Sequence, residues 1–218
     1  MITPPNPTQT GPARGRRTPR ARGDDRERAI LQTLEQLLEE RSFGEISVDD
    51  LARGAGISRP TFYFYFGGKD AVLLTLVDRM VEEATTRRGE VMSGLAESPR
   101  ETCRKGLEAF YDVFGSRRAV ILAAAELGAV NSEARELWSQ VTVGWASDVT
   151  AIIESERARG AAPVGTPAGD LAIALVQMNE RVLRGTFAGE EPAVAEENVI
   201  DVLLEIWLSA IYGTPNPA

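Results

Sequence analysis

Two helix starts of the same design stand eleven residues apart, at Ser47 and Ser58, with the joint Gly54-Ala55-Gly56 between them. The Ser47 hydroxyl can accept from the N–H three residues on, and Asp50 can return a bond to the Ser47 N–H. Ile46 and Leu51 hold the hydrophobic-staple positions around that cap. Ser58 repeats the device with Ile57 and Phe62. Pro60 falls in the first turn, where a missing N–H costs little. Because Pro60 cannot donate, Ser58 must cap the N–H of Thr61. Two short helices so close in sequence, with the small Ala52, Ala55 and Gly56 between them, can cross tightly. That is the geometry of a helix-turn-helix, so a DNA-binding head is expected here.

The flanking segments read as helices as well. Ala29, Ile30, Leu34, Leu37 and Leu38 make a stripe at helical spacing, which predicts a first helix from about Asp25 to Arg41, broken at Ser42-Phe43-Gly44. Gly67-Gly68 ends the second capped helix. Lys69-Asp70 opens a long one that fades near Gly89 to Pro99. Further helices are expected near 100–114, 117–129, 132–160, 168–188 and 194–212, with a cap at Asn131-Ser132. No stretch alternates with period two long enough for a sheet.

The predicted fold is therefore all-α: an N-terminal three-helix helix-turn-helix domain over residues 24–68, then a larger helical domain over 69–218. The helix from 69 links the two. Residues 1–23 are expected to form a disordered, Arg-rich arm.

Charge places the nucleic acid at one end. The net charge is −8, yet residues 1–23 hold Arg14, Arg16, Arg17, Arg20 and Arg22 and no acid, so the remainder carries −13. An acidic body with a basic arm suits a protein that meets DNA on one side. Arg14, Arg16 and Arg17 are expected on the DNA backbone. Within the second capped helix, Phe62 and Phe66 belong to the core. Arg59 and Tyr63 share one outer face, Thr61 and Tyr65 another. With Ser47 and Ser58 these are expected phosphate contacts, and Arg59 and Tyr63 are the ones placed to reach base edges. Lys69 is expected to hold the backbone on the other side.

Composition excludes much else. The absence of histidine removes the Ser-His-Asp and Cys-His nucleophiles and the commonest metal ligand, and neither a metal cluster nor a glycine-rich phosphate loop is present. No cofactor is expected. Glu126, Asp148 and Glu180 are possible carboxylates, but without histidine, a metal cluster or a phosphate loop beside them no enzyme is expected. Cys103 is the only cysteine, which fits a reducing compartment. No run is long enough to span a membrane and no signal-like stretch opens the chain, so a cytoplasmic protein is expected.

The head matches a known pattern. Ala55-Gly56, Thr61, Tyr63, Phe66 and Lys69-Asp70 resemble the signature of the TetR family of transcriptional regulators. One member is matched over the whole chain, from GRRTPR through SVDDLA and GISRPTFYFYF to IWLSAIYG. Gly67-Gly68 departs from the commoner polar pair before the lysine. The resemblance implies a homodimer on double-stranded operator DNA, with a C-terminal pocket for an apolar small-molecule effector. A constitutive regulator without an effector is the alternative.

Phe110 and Phe114, four apart, and Trp138 and Trp145, seven apart with Thr142 between, are expected to line that pocket with Trp207. Asn179 sits among Leu175, Val176, Val182 and Leu183, so its amide needs a partner. The resemblance makes it the polar handle, with Glu180 and Leu183 beside it. Cys103, Val176 and Arg184 stand where that member is expected to carry Trp, Asn and Phe. Finally, Ile200, Leu203, Leu204, Trp207 and Ile211 form one stripe of the last helix, and Val199, Val202, Ile206 and Ala210 a second. One stripe is expected to face the domain and the other a partner chain.

Overall fold

A computed structural model of the chain describes residues 19–93 and 98–217. Among the described residues the fold is all-α, without a strand. The head consists of α1 (Pro19–Leu38), α2 (Val48–Gly54) and α3 (Arg59–Tyr65). The long α4 (Lys69–Ser93) leads into a body of α5 (Pro99–Gly115), α6 (Arg118–Val130), α7 (Ser132–Ala158), α8 (Ala168–Ala188) and α9 (Val199–Tyr212).

The caps act where their residue types predict. Asp50 N–H donates to Ser47 Oγ at 3.2 Å, and Ser47 N–H donates to Asp50 Oδ2 at 3.0 Å. Ser58 Oγ accepts from Thr61 N–H at 3.3 Å, as the missing donor of Pro60 requires. Asn131 Oδ1 takes the N–H of Ala134 at 3.1 Å and starts α7. At the other ends, α8 and α9 stop at Gly189 and Gly213, whose φ of 62° and 73° a side chain would resist. Several boundaries differ from expectation, the end of α1 at Leu38 rather than Arg41 among them. α1 already begins at Pro19, since proline suits a first helical turn and the following Arg and Ala favour helix. α9 begins only at Val199, after a 3-10 turn over Glu196–Asn198.

Apolar side chains form two cores. The head core gathers Ile30, Leu34, Leu51, Phe62, Val72 and Leu73, but also Val120, Ala123 and Leu127 of α6 and Ala134 of α7. The body core holds Phe114, Trp145, Leu175, Leu183, Leu203 and Leu204. α4 serves both, with Val72, Leu73, Leu76 and Val77 in the head core and Met80 and Ala84 in the body core. The head is thus closed by a body helix, and the packing boundary does not fall at residue 68.

Polar ties reinforce that seam. Arg117, at the start of α6, donates to Glu35 of α1 at 2.9 Å and to Glu83 of α4 at 2.7 Å. Burial works against its charge, but the two carboxylates outweigh that and hold the guanidinium above its ordinary pKa. Asn131 Nδ2 donates to Asp70 at 3.3 Å, and Arg79 pairs with Glu27 at 2.6 Å. Inside the head, α1 and α2 approach so closely that a β-carbon on Gly54 would stand 2.3 Å from Thr33 Cγ2.

The two stripes of α9 separate only in part. Val199 is fully buried and sides with the core, as does Leu208. Val202, Ile206 and Ala210 are exposed. They continue the apolar row along the outside of the helix.

Candidate nucleic-acid interface and ligand cavities

The helix-turn-helix presents α3 to solvent. Phe62 and Phe66 are buried, at 0% and 7% exposure. Their i, i+4 spacing sets one side of α3 into the head core and turns the opposite side outward. On that outer side Tyr63 is 48% and Phe64 83% exposed. Phe64 was not among the expected contacts, although the phase of Phe62 and Phe66 already places residue 64 on the far side of the helix. Tyr65, by contrast, is half-buried, its ring against Phe64 at 5.2 Å and its body against the head core.

Arg59 is held rather than free. Its guanidinium donates to Asp49 Oδ2 at 2.9 Å and to Tyr63 Oη at 3.4 Å, which together raise its pKa. The pair is exposed on both sides, so it orients the guanidinium without adding much stability. Ser47 and Ser58 stand at the N-termini of α2 and α3, where N–H groups and hydroxyls suit a phosphate. The Ser47 hydroxyl and N–H hold the Asp50 carboxyl below the usual range. Thr61 Oγ1 lies 2.8 Å from Ser58 Oγ.

Lys69 departs from expectation. Its Nζ donates to the carbonyls of Phe43 at 2.8 Å, Gly44 at 3.3 Å and Ile46 at 2.9 Å. An ammonium has three donors, and all are engaged. The Phe43 ring lies 4.6 Å from the same nitrogen. Lys69 therefore ties the first turn of α4 to the chain before α2 and has no donor left for DNA. Arg14, Arg16 and Arg17 lie outside the described residues.

In the body the expected pocket is two cavities. The larger, of about 330 Å³, is lined by Phe110, Phe114, Trp138, Glu180, Leu183 and Arg184, and by Leu74 and Val77 of α4. The smaller, of about 120 Å³, is lined by Cys103, Phe110, Trp145, Val176, Asn179 and Trp207. Phe110 faces both. Its ring stacks 4.2 Å from Phe114 and meets Trp145 edge-on at 4.7 Å, so an aromatic wall divides the space.

Asn179 is buried at 6% exposure, and its Oδ1 accepts from the Trp207 indole at 2.9 Å. The partner that sequence reasoning demanded is thus supplied in part by protein. The amide nitrogen has no protein partner among the described residues, and Asn179 lines the smaller cavity. Burial pushes the Cys103 thiol up to about 12, which keeps it an uncharged wall residue. Thr142 lines neither cavity. Its hydroxyl donates to the Trp138 carbonyl at 2.9 Å, and it lines a shallow surface depression with Trp138, Val143 and Ile173.

Among the described residues no cluster of acidic or sulfur ligands could hold a metal ion. Nor is any described helix long and apolar enough to cross a membrane.

Known proteins share this arrangement. Residues 30–76 match the model of bacterial regulatory proteins of the tetR family, and residues 103–213 that of the C-terminal domain of transcriptional regulator EthR. The HTH-type transcriptional regulator EthR of Mycobacterium tuberculosis is 51% identical over 211 residues, covering 94% of this chain and 96% of that protein. The EthR of Mycolicibacterium smegmatis is 48% identical over 207 residues, 95% of each chain. Both are named as regulators, not enzymes. Among solved structures, a TetR transcription regulator from Haloarcula marismortui superposes with a TM-score of 0.71 at 12% identity, over 88% of this chain and 98% of that one. Thermus thermophilus FadR, a TetR-family repressor solved with lauroyl-CoA, gives 0.63 at 19% identity, over 88% and 98%. At such identities these two speak for the fold alone. A tetR-type head joined to an EthR-type body, with whole-length similarity to two mycobacterial regulators, makes this chain a member of the TetR family of transcriptional regulators, of the EthR kind.

Proposed function

We propose that this chain is a ligand-responsive repressor that binds operator DNA as a homodimer and lets go when an apolar molecule fills the body cavities. One observation carries the reading. Leu74 and Val77 line the larger cavity, and Val77 also belongs to the core that seats α3. A ligand there touches the residues that set the angle between α4 and the head. Effectors act by their differential affinity for two conformations. A molecule that fits the splayed form better therefore shifts the population away from DNA.

The exposed row Val202, Ile206 and Ala210 of α9, together with Ile173 on α8, offers a two-fold contact for a second copy. Such a dimer would place two α3 helices in successive major grooves, about 34–36 Å apart. Ser47, Ser58, Arg59, Thr61, Tyr63 and Tyr65 are its proposed contacts, and binding should weaken steeply with salt.

The Asn179–Trp207 bond favours a second reading, a constitutive regulator whose aromatic core satisfies itself. Gel-shift of the protein on its own upstream DNA, with and without a panel of lipophiles, separates the two. Retardation that a lipophile abolishes supports the first reading. Retardation that nothing in the panel alters, with no thermal shift, supports the second. No retardation at any salt removes both.

A further inference from the structure

The larger cavity is chemically lopsided. Val77, Ile121 and Leu183 form a buried apolar interior, while Arg135, Glu180 and Arg184 line the more exposed side. Arg135 already donates to the carbonyls of Gly128 at 3.0 Å and Ala129 at 3.3 Å, at the end of α6. Glu180 and Arg184 are one turn apart on α8, a spacing at which opposite charges usually pair. Yet neither makes an ion pair or hydrogen bond with protein among the described residues. Two positive charges thus face one negative.

We propose that the larger cavity takes an apolar anion, a carboxylate on a medium-length hydrocarbon chain. Its chain fills the interior and its carboxylate meets the Arg184 guanidinium. Arginine suits this task because its planar fork matches a carboxylate and cannot lose its charge. Glu180 disfavours the anion and so limits its affinity. This assignment rests on the cavity being the effector site, and it names the chemistry of the effector.

Calorimetric titration of the full chain with decanoate and with methyl decanoate tests it, alongside Arg184→Met and Glu180→Gln. Decanoate is expected to bind about ten- to a hundredfold tighter than its ester, the scale of one charge-assisted hydrogen bond in a half-buried site. Arg184→Met should bring the acid down to the level of the ester and leave the ester unchanged. Glu180→Gln should tighten the acid. Circular dichroism of each variant confirms that it is folded. The proposal is overturned if acid and ester bind alike, if the preference survives in Arg184→Met, or if neither compound binds. The regulatory reading fails separately. If decanoate binds with the stated preference but leaves operator DNA bound, the anion site stands and the release mechanism falls. If the ester releases DNA while the acid has no advantage, the reverse holds.

Discussion

Asn179→Leu removes the acceptor of the Trp207 indole while keeping the same branched heavy-atom skeleton. The lost bond is 2.9 Å long and joins α8 to α9. Its donor is left without that acceptor in the wall of the smaller cavity. A buried unpaired donor costs about 1–3 kcal/mol, and the lower half of that range applies because Trp207 is only half-buried. For a chain of this size about 1–2 kcal/mol corresponds to a fall in Tm of roughly 2–8 °C. Thermal unfolding followed at 222 nm measures it. The double variant with Trp207→Phe decides the cause. Phenylalanine has no N–H to strand, so the two changes together should cost less than their sum, by about 1 kcal/mol. Strict additivity would show that the bond contributes nothing, and that Asn179 acts through packing. Ligand titration of the single variant completes the test. Since the amide nitrogen of Asn179 is the donor left for a ligand in the smaller cavity, ligands with a carbonyl there should weaken about tenfold while operator affinity holds.

Other outcomes follow from the same geometry. Tyr63→Ala should weaken operator binding with helicity and dimerisation intact, and Phe64→Ala should do so through lost apolar contact with a thymine methyl; gel-shift on operator and random duplex distinguishes specific from general loss. Gly54→Ala drives a methyl against Thr33 and should lower stability by about 1–3 kcal/mol, read by urea unfolding, whereas the double change with Thr33→Ser should recover most of it. Arg117→Met removes two carboxylate contacts across the head–body seam and should loosen hydrogen-exchange protection in α1 before α9. The Cys103 thiol has its pKa raised from 9.0 to about 12. Near pH 8 the native protein should therefore react with thiol reagents about a thousandfold slower than the unfolded chain. By the same shift, the unfolded thiol ionises above 9.0 while the folded one does not, so stability falls as pH rises through 9.0 toward 12.

Local chemistry made much of this legible. Ser47, Ser58 and Asn131 announce helix starts because capping needs a short acceptor and only neighbouring residues. The phase of Phe62 and Phe66 identifies the buried side of α3 for the same reason. What depends on distant residues was not legible. Nothing near Lys69 shows that its ammonium reaches carbonyls more than twenty residues upstream, so a lysine at a helix start beside the head read as a phosphate contact. Arg59 is likewise occupied by Asp49 from the other helix. In the body, seven-residue spacing brought Trp138 and Trp145 to one face, but it could not reveal that Phe110 stands between two chambers. Thr142 illustrates the limit, since it stands four residues from Trp138 and three from Trp145 and yet lines a surface depression rather than either cavity.

The face that Val120, Ala123 and Leu127 press against the head has a practical consequence for building hybrid regulators. A graft cut at Gly68 would hand the new head a foreign lid, with mismatched methyl groups where α1 and α4 expect these three. Its effector would then steer a reading element that no longer sits squarely. Exchanges that keep operator choice and effector response coupled must carry those three side chains across together with the head they cover.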